Sequence, residues 1–265
     1  MNTFEGATVL VTGASSGIGE AFARNLAEKR ANLILTARSG IKLEQIANEL
    51  RRACSVSVHV LPADLSSKGA AKLLFEQIKA GGLSVDVLIN NAGFGKWAHF
   101  LGEDLDTYRK MLSLNIDALV DLTYLSLPDM LARRKGGVIN VASTAGFQPV
   151  PYIAVYSASK AFVLNFTEAL TEEYREHGIR LLALCPGYTA TNFMHVANAH
   201  AEGLPFMSAK VVAAAGLNAF LQGRGYLVPG LSNYLTSLFP RFLSRAASNK
   251  IAAKIFKGRV APVPA

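Results

Sequence analysis

The sequence predicts an α/β fold in which helices cover both faces of one doubly wound parallel sheet of about seven strands. Two observations predict this class. Short β-branched runs alternate with longer helical patterns along most of the chain. These runs are apolar at nearly every position, which is typical of parallel strands buried on both faces. Right-handed crossovers between such strands place the intervening helices on the two sides of the sheet.

The predicted elements alternate between strand and helix. Strands are predicted at residues 7–12, 32–37, 56–61, 85–90, 137–143, 179–185 and 226–228. Helices are predicted to begin near Gly17, Ile41, Ser66, Leu105, Val155 and Ser208. We expect a single domain over residues 1–230, followed by a helical basic tail over residues 231–265 that is not an independent domain.

Composition excludes disorder and argues against a nucleic-acid partner. Of the 265 residues, 51% are hydrophobic and 17% charged, so the chain can bury enough apolar surface to offset its ordering entropy. The formal net charge of +8 comes entirely from residues 203–265, which hold eight Lys or Arg and no acid. A nucleic-acid protein normally spreads positive charge over its binding domain and adds groove-reading motifs. We therefore predict no nucleic-acid partner.

The two cysteines, the histidines and the N-terminus predict a cytoplasmic protein without a metal. Cys54 and Cys185 lack CxxC spacing and are typical of free thiols in a reducing compartment. The N-terminus lacks the basic start of a signal peptide, and prolines and hydroxyl residues interrupt the uncharged stretch 136–159, so no membrane-spanning helix is predicted. The histidines share no metal-ligand spacing; they are His59, His99, His177, His195 and His200.

A glycine-rich turn, TGASSGIG at residues 12–19, follows the first predicted strand and opens the first helix. Glycine permits positive φ and close approach of a pyrophosphate, and a helix N-terminus presents free N–H groups to it. A dinucleotide site of the Rossmann type is therefore predicted, with an ordinary structural turn as the alternative. The predicted cofactor contacts in the turn are Gly13, Ser15, Ser16, Gly17, Ile18 and Gly19.

The end of the second predicted strand indicates NADP(H) rather than NAD(H). A NAD site places an acidic residue there to bind the ribose 2′-hydroxyl. This chain has Arg38 instead, whose planar guanidinium suits a 2′-phosphate. NADP(H) is thus the preferred cofactor and NAD(H) the less favoured one, unless Arg38 is only a solvated loop charge.

A phenol and an ammonium lie one helical turn apart in the predicted helix from Val155. Tyr156 and Lys160 are four residues apart, so both face the same side of that helix. They follow Ser143, which ends a predicted strand at the carboxyl edge, where open α/β sheets bind ligands. Chance alone also produces Tyr and Lys pairs at this spacing. The pair therefore indicates a functional site only together with its position after Ser143, at the carboxyl edge of the sheet.

Together these motifs resemble the short-chain dehydrogenase/reductase family, in its short single-domain form. The resemblance runs from about Gly6 to Thr191, and the order and spacing of its motifs agree with one another. The motifs are the glycine turn, Asp64-Leu65, Asn90-Asn91-Ala92-Gly93, Asn115, Ser143, Tyr156 with Lys160, and Pro186-Gly187 with Thr189 and Thr191. The short spacing from Tyr156 to Lys160 argues against the enoyl-reductase branch, and the chain length argues against the extended epimerase-like branch.

The resemblance implies an oxidoreductase that interconverts a carbonyl and an alcohol, with Tyr156 as general acid and base. Free tyrosine has a pKa of about 10, too high for efficient proton donation near neutrality, so Lys160 is expected to lower it. By resemblance Lys160 also binds the nicotinamide ribose, and Asn115 anchors a water that relays protons to Lys160. Ser143 is expected to hold and polarise the carbonyl oxygen.

The remaining cofactor contacts are also implied by the resemblance. Asp64 and Leu65 are expected near the adenine, and Asn91, Ala92 and Gly93 along the adenosine ribose. The loop after Cys185 is expected to cover the nicotinamide. It contributes Pro186, Gly187, the main chain of Thr189 and the side chain of Thr191.

A small-molecule substrate, a lipophilic ketone or aldehyde, is predicted from the apolar residues around Tyr156. Residues 188–205 are expected to form a mobile flap that closes on it. The candidate pocket residues are Phe94, Trp97, Phe147, Tyr152, Tyr188, Phe193 and Met194. The alternative is that about half of these side chains belong to the core, where aromatic residues are common.

The basic tail and the surface helices leave open how the molecule assembles. Leu and Phe mixed with basic residues after Leu231 suit an anionic membrane surface, whereas an extra helical pair packed on the domain or on another subunit explains them equally well. Relatives of this kind associate through the helices around residues 105–133 and 155–177, so a homo-oligomer is expected.

A non-catalytic NADP(H) sensor on the same fold is the alternative function.

Overall fold

Seven parallel strands form the central sheet of the protein, for which we analysed a computed structural model describing residues 1–199, 203 and 205–260. The strands of this sheet are β1 (Thr8–Thr12), β2 (Asn32–Thr36), β3 (Val58–Val60), β4 (Val87–Asn90), β5 (Gly136–Val141), β6 (Ile179–Leu184) and β9 (Tyr226–Leu227). A separate parallel ladder pairs β7 (Thr189–Ala190) with β8 (Met207–Ser208). All seven strands predicted from sequence are confirmed, whereas the small ladder was not predicted.

Helices connect the strands and follow the last of them. The helices are α1 (Gly17–Glu28), α2 (Gly40–Cys54), α3 (Ala70–Ala80), α4 (Leu105–Leu112), α5 (Ala118–Arg133), α6 (Ala154–Tyr174), α7 (Phe193–Val196), α8 (Ala209–Leu221), α9 (Leu231–Leu238) and α10 (Arg245–Lys257). A π-helical turn at Ser113–Asp117 joins α4 to α5. The six helices predicted from sequence are all present, but α3 begins at Ala70 rather than near Ser66.

The strand order places a crevice between β1 and β4. The order across the sheet is β3-β2-β1-β4-β5-β6-β9, so the chain builds outward from β1, returns beside it as β4, and then builds outward on the other side. In open α/β sheets the point where the strand order reverses is where ligands bind, at the carboxyl ends of the strands. The glycine turn after β1 and Asn91 after β4 both lie at this edge.

Two apolar layers cover the two faces of the sheet, which explains why the strands lack alternation. Val9 and Val11 of β1 pack in one layer with α1, α2 and α8, while Leu10 between them packs in the other layer with α3 and α5. Successive strand residues point to opposite faces, so both faces need apolar side chains. The doubly wound α/β class predicted from the sequence is therefore confirmed.

The C-terminal tail is helical and packs on the domain. Phe256 of α10 lies with its ring centroid 5.1 Å from that of Trp97, and Asn233 of α9 lies against Gly187 in the loop after β6. Residues 261–265 of the predicted tail, and residues 200–202 and 204 of the predicted flap, lie outside the described residues. Over the described ranges, no helix combines the length and apolarity that crossing a bilayer requires.

Candidate active site

Three polar side chains meet beside the carboxyl end of β5. Ser143 lies two residues beyond β5, and its Oγ accepts a hydrogen bond of 3.1 Å from the amide of Ala145. That bond holds the serine at the start of a 3-10 turn that packs on α6. Tyr156 is in the first turn of α6, and the Ser143 side chain lies near enough to the phenol to lower its pKa. A carbonyl oxygen placed between these two hydroxyls would meet two donors at once.

Lys160 is buried one helical turn after Tyr156 and is anchored by the backbone. Only 6% of its surface is exposed, and its Nζ donates a 2.7 Å hydrogen bond to the carbonyl oxygen of Val141. The ammonium lies 5.8 Å from the centroid of the Tyr156 ring. Because burial penalises the charged form, it lowers the pKa of Lys160 to about 8, and the nearby Cys185 thiol offsets this only in part.

The ionisation of Tyr156 runs opposite to the direction expected from sequence. Burial raises the pKa of the phenol to about 12, and the nearby Ser143 hydroxyl opposes that rise. Lys160 was expected to lower this pKa, but its ammonium hydrogen-bonds Val141 and burial dominates both groups. At neutral pH the phenol therefore carries its proton, but in this structure it is a weaker acid than free tyrosine.

Asn115 reaches the site because the helix that carries it contains a π-turn. The turn at Ser113–Asp117 adds one residue to the helical repeat, a feature that often re-aims side chains at functional sites. The Asn115 amide accepts from the amide N–H of Phe94 at 3.1 Å and donates to the Phe94 carbonyl at 3.0 Å and to Ser159 Oγ at 3.1 Å. The side chain thus fixes the chain after β4 next to Lys160, and the relayed water remains a prediction.

The glycine turn has the conformation that a pyrophosphate needs. Gly13 and Gly17 have φ of +64° and +60°, and a Cβ at Gly17 would come within 3.0 Å of Thr191 Cγ2. The Ser16 side chain does not cap α1, so it leaves the amides that open the helix at Gly17 and Ile18 to other acceptors. Ser15 is half-buried and Gly19 is buried against Gly13. The turn therefore fits a dinucleotide.

The chain after β4 supports the glycine turn through hydrogen bonds. Asn91 Nδ2 donates to the carbonyl oxygens of Thr12 and Gly13 at 2.9 and 3.3 Å, and the amides of Asn91 and Ala92 both donate to Thr12 Oγ1. Asn91 therefore supports the turn itself, and its contact with the adenosine ribose stays a prediction. Gly93 lies between this segment and the Asn115 side chain.

Arg38 and Asp64 follow β2 and β3 at the same edge. Arg38 is exposed, and its charge is among the influences that lower the pKa of Asp64, after the hydrogen bonds from Ser66. Leu65 beside it is buried in the layer that contains Leu10. An exposed guanidinium just past β2 is placed where a 2′-phosphate would need it.

The loop after β6 lies across the carboxyl edge and leads into the predicted flap. The Pro186 carbonyl accepts from the amide of Thr144 at 3.0 Å, and Thr189 Oγ1 donates to the Gly187 carbonyl at 3.1 Å. Thr191 Oγ1 accepts from the amide of Phe193 at 3.2 Å. The β7–β8 ladder then joins the two ends of the segment between Thr189 and Ser208 to each other.

Five of the seven predicted pocket residues pack in one apolar cluster with Tyr156. They are Trp97, Tyr152, Tyr188, Phe193 and Met194. The Phe193 ring centroid lies 5.5 Å from that of Tyr156. Phe147 instead packs with Tyr226 in a neighbouring cluster, because the 3-10 turn directs it toward β9, and Phe94 is half-buried above Asn115.

Sequence reasoning missed three residues at this site. A Cβ at Gly95 would come within 3.0 Å of both Tyr156 and Phe193, so only glycine allows their rings to pack this closely on the chain. Phe256 and Val260, at the end of α10, join the cluster around Tyr156. No local pattern identifies them, since they lie more than 90 residues from Tyr156 in sequence. Among the described residues no His, Cys, Asp and Glu group could hold a metal, and His200 lies outside them.

Comparison with known proteins places the chain in a family. Residues 7–202 match the sequence profile described as short chain dehydrogenase. The very-long-chain 3-oxoacyl-CoA reductase of Anas platyrhynchos is 40% identical over 197 residues, which are 72% of this chain and 62% of that protein. The protein of the same name from Mus musculus is 33% identical over 247 residues, which are 90% of this chain and 77% of that protein.

A solved structure supports the same assignment. The short-chain dehydrogenase of Sphingobium yanoikuyae, in complex with NADPH, is 28% identical and superposes with a TM-score of 0.81 over 98% of each chain. The family profile covers most of the chain and every residue of the Ser143, Tyr156 and Lys160 site. The chain therefore belongs to the short chain dehydrogenase family, and it is an oxidoreductase.

Proposed function

We propose that this enzyme is an NADP(H)-dependent reductase of lipophilic carbonyl compounds, with Tyr156 as the general acid. Long-chain 3-oxoacyl thioesters are the substrate class that we favour. The observation that carries the proposal is the pair of hydroxyl side chains, Ser143 and Tyr156, at the edge of an apolar cluster. Two polar donors beside apolar side chains are what a ketone on an aliphatic chain requires.

The chain's own residues supply the proton side of the reaction. Ser143 donates to the carbonyl oxygen and withdraws charge from the carbonyl carbon. Tyr156 transfers its proton to the same oxygen as the oxygen becomes an alkoxide, and the alcohol leaves. The nicotinamide, when bound, supplies the hydride to the carbonyl carbon. Lys160 joins α6 to the end of β5, and Asn115 joins α6 to the segment after β4.

Arg38 supports a preference for NADP(H) over NAD(H). It is exposed after β2, and no acidic residue takes the position that a ribose 2′-hydroxyl would need. The glycine turn and the uncapped start of α1 fit the pyrophosphate that both cofactors share. The Sphingobium yanoikuyae relative binds NADPH, which agrees with this preference.

The apolar cluster and the named relatives support the substrate class. Aromatic and aliphatic side chains surround Tyr156, and the two reductases compared above are named for very-long-chain 3-oxoacyl-CoA. This chain spans less than two thirds of the Anas platyrhynchos protein, so its own activity is tested directly below. We place the enzyme in the cytoplasm, where its free thiols Cys54 and Cys185 would stay reduced.

Substitution of Tyr156 by Phe tests the assignment. NADPH oxidation is measured with aliphatic ketones, aldehydes and 3-oxoacyl thioesters of increasing chain length. We expect turnover of the best substrate to fall at least about 100-fold in Tyr156→Phe, since general acid catalysis contributes that much or more. The Kd for NADPH should stay within a few fold. Tyr174→Phe, at the far end of α6, is the matched control and should retain activity. Substantial turnover by Tyr156→Phe would refute the assigned acid.

A further inference from the structure

The C-terminal segment directs apolar side chains outward. Leu231, Tyr234 and Leu235 form one stripe along α9, with the i, i+3, i+4 spacing of a helix face, and all three are exposed. Ser237 on the other side of α9 is buried. A surface helix normally does the reverse, with its apolar stripe against the core. Such an inverted helix indicates a partner for the outer face.

Further apolar side chains are exposed in the segment that follows α9. Phe239 and Phe242 follow in the 3-10 turn, where Phe242 is 82% exposed, and Ile251 and Ile255 are exposed on α10. The residues between 231 and 255 thus contain seven of the 18 large hydrophobic residues that are exposed in the described chain. Scattered exposed residues need no explanation, but a concentration of this kind marks an interaction site.

Basic side chains lie among these apolar ones, in a segment whose sequence contains no acidic residue. They are Arg241, Arg245, Lys250, Lys254 and Lys257, and all five are exposed. None of the ion pairs formed by the described residues involves them. We call these five residues, with the seven apolar ones, the apolar-basic face. Its partner must offer both apolar surface and negative charge.

The inner side of the same segment packs against the apolar cluster around Tyr156. Phe256 and Val260 belong to that cluster, and α9 contacts the loop after β6 through Asn233 and Gly187. The apolar-basic face therefore lies on the outside of a segment whose inner side meets the candidate active site. A partner bound there would sit beside that site.

We propose that the apolar-basic face docks the enzyme on an anionic lipid bilayer, from which its lipophilic substrate is drawn. Apolar side chains insert at the headgroup boundary while Lys and Arg attract the lipid phosphates. A second copy of the chain fits less well, because a two-fold interface would bring these cations against each other. The docking on a bilayer does not depend on the proposed function, whereas the uptake of substrate from the bilayer rests on it.

Sedimentation with vesicles tests the docking without any turnover. The full-length protein is mixed with vesicles of phosphatidylcholine alone or with phosphatidylserine, and the bound fraction is measured. We expect binding only to the anionic vesicles. Lys250→Gln with Lys254→Gln should weaken it about 30-fold. Leu235→Ser with Phe242→Ser should weaken it at least as much. The matched controls are Lys29→Gln with Lys135→Gln, and Leu73→Ser, all exposed residues outside the face.

The outcomes separate docking from folding and from the proposed reaction. Circular dichroism and the unfolding temperature of each variant report whether the fold is intact. Absence of wild-type binding to anionic vesicles, or equal losses in the control variants, would overturn the proposal. So would light scattering that shows an oligomer dissociated by Leu235→Ser with Phe242→Ser while vesicle binding persists. Failure to reduce any carbonyl would refute the proposed function and leave the docking result standing.

Discussion

Lys160 is a cationic side chain with 6% of its surface exposed, held by one backbone carbonyl. Its pKa near 8 means that the folded chain binds this proton more weakly than the unfolded chain does. Burial of the charge therefore destabilises the protein below pH 8, and this destabilisation decreases as the pH rises toward the ordinary lysine pKa of about 10.4. The buried ammonium of Lys160 thus lowers the free energy of unfolding at neutral pH.

Substitution of Lys160 by Met tests this account. The variant removes the buried charge, so its free energy of unfolding relative to wild type should be most favourable below pH 8. That advantage should shrink by about 3 kcal/mol between pH 7 and pH 10.5, since the unfolded wild type binds the extra proton over this interval. Urea unfolding of both proteins across the range measures it. A pH-independent difference would show that the ammonium is not held in a desolvated site.

Arg38 is the residue that we expect to determine the preference for NADPH over NADH. In Arg38→Asp the carboxylate should repel a 2′-phosphate and accept the ribose 2′-hydroxyl. We expect the ratio of kcat/KM for NADPH to that for NADH to fall at least about tenfold, the effect of losing one charged hydrogen bond. Arg52→Asp, an exposed position on α2, controls for the change of net charge. An unchanged ratio in Arg38→Asp would remove Arg38 from the cofactor site.

Helix α10 contributes to the active site although it comes last in the chain. Phe256 contacts the single tryptophan, Trp97, and both belong to the apolar cluster around Tyr156. Ser248 at the other end of α10 lies against Gln148, just beyond the 3-10 turn that Ser143 begins. The helix thus covers one side of the apolar cluster around Tyr156, and its opposite side belongs to the apolar-basic face.

Substitution of Phe256 by Ala tests that closure. Removal of the ring should expose Trp97 to water and shift its fluorescence to longer wavelength. We expect a loss of about 2 kcal/mol in the free energy of unfolding, less than for a fully buried Phe. KM for a long-chain substrate should rise more than kcat falls, because the Phe256 ring offers apolar contact to an aliphatic chain and no polar group to the reacting carbonyl. Ile255→Ala, exposed on the same helix, should leave Trp97 emission unchanged. An unshifted spectrum in Phe256→Ala would contradict the contact.

At the scale of the whole molecule, helices α4, α5 and α6 also carry exposed apolar residues. Tyr124 on α5 is 76% exposed, and Leu105, Leu112 and Phe162 on the neighbouring helices are exposed as well. This surface is separate in sequence from the apolar-basic face and carries the residues through which the family resemblance predicts association. The homo-oligomer is therefore proposed to form there.

Substitution of Tyr124 by Asp tests the assembly. A charge in an apolar interface is desolvated without a partner, so the variant should shift the protein toward the monomer. Light scattering after size exclusion measures the molecular mass at several concentrations. Leu73→Asp places the same charge on α3, where no association is proposed, and should leave the mass unchanged. A monomeric wild type, or an unaffected Tyr124→Asp, would place the interface elsewhere.

Sequence alone determined the sheet and its helices, and it predicted which polar side chains lie at the carboxyl edge. Strands buried on both faces need continuous apolar runs, and the turn after β1 needs glycines because its backbone has positive φ. Local residue patterns are therefore enough to predict these features. Tyr156 and Lys160 are paired by helical spacing, which is equally local. Their positions could be predicted because backbone geometry fixes them.

Tertiary structure alone decided the electrostatics and the far wall of the site. The direction of the Tyr156 pKa depends on how deeply the ring is buried, and burial is a property of the packed chain. The contribution of Phe256 depends on where α10 comes to rest, and the fit of Gly95 depends on rings that belong to two other elements. Local residue patterns set the strands and helices, but contacts between distant segments exist only once those elements have packed together.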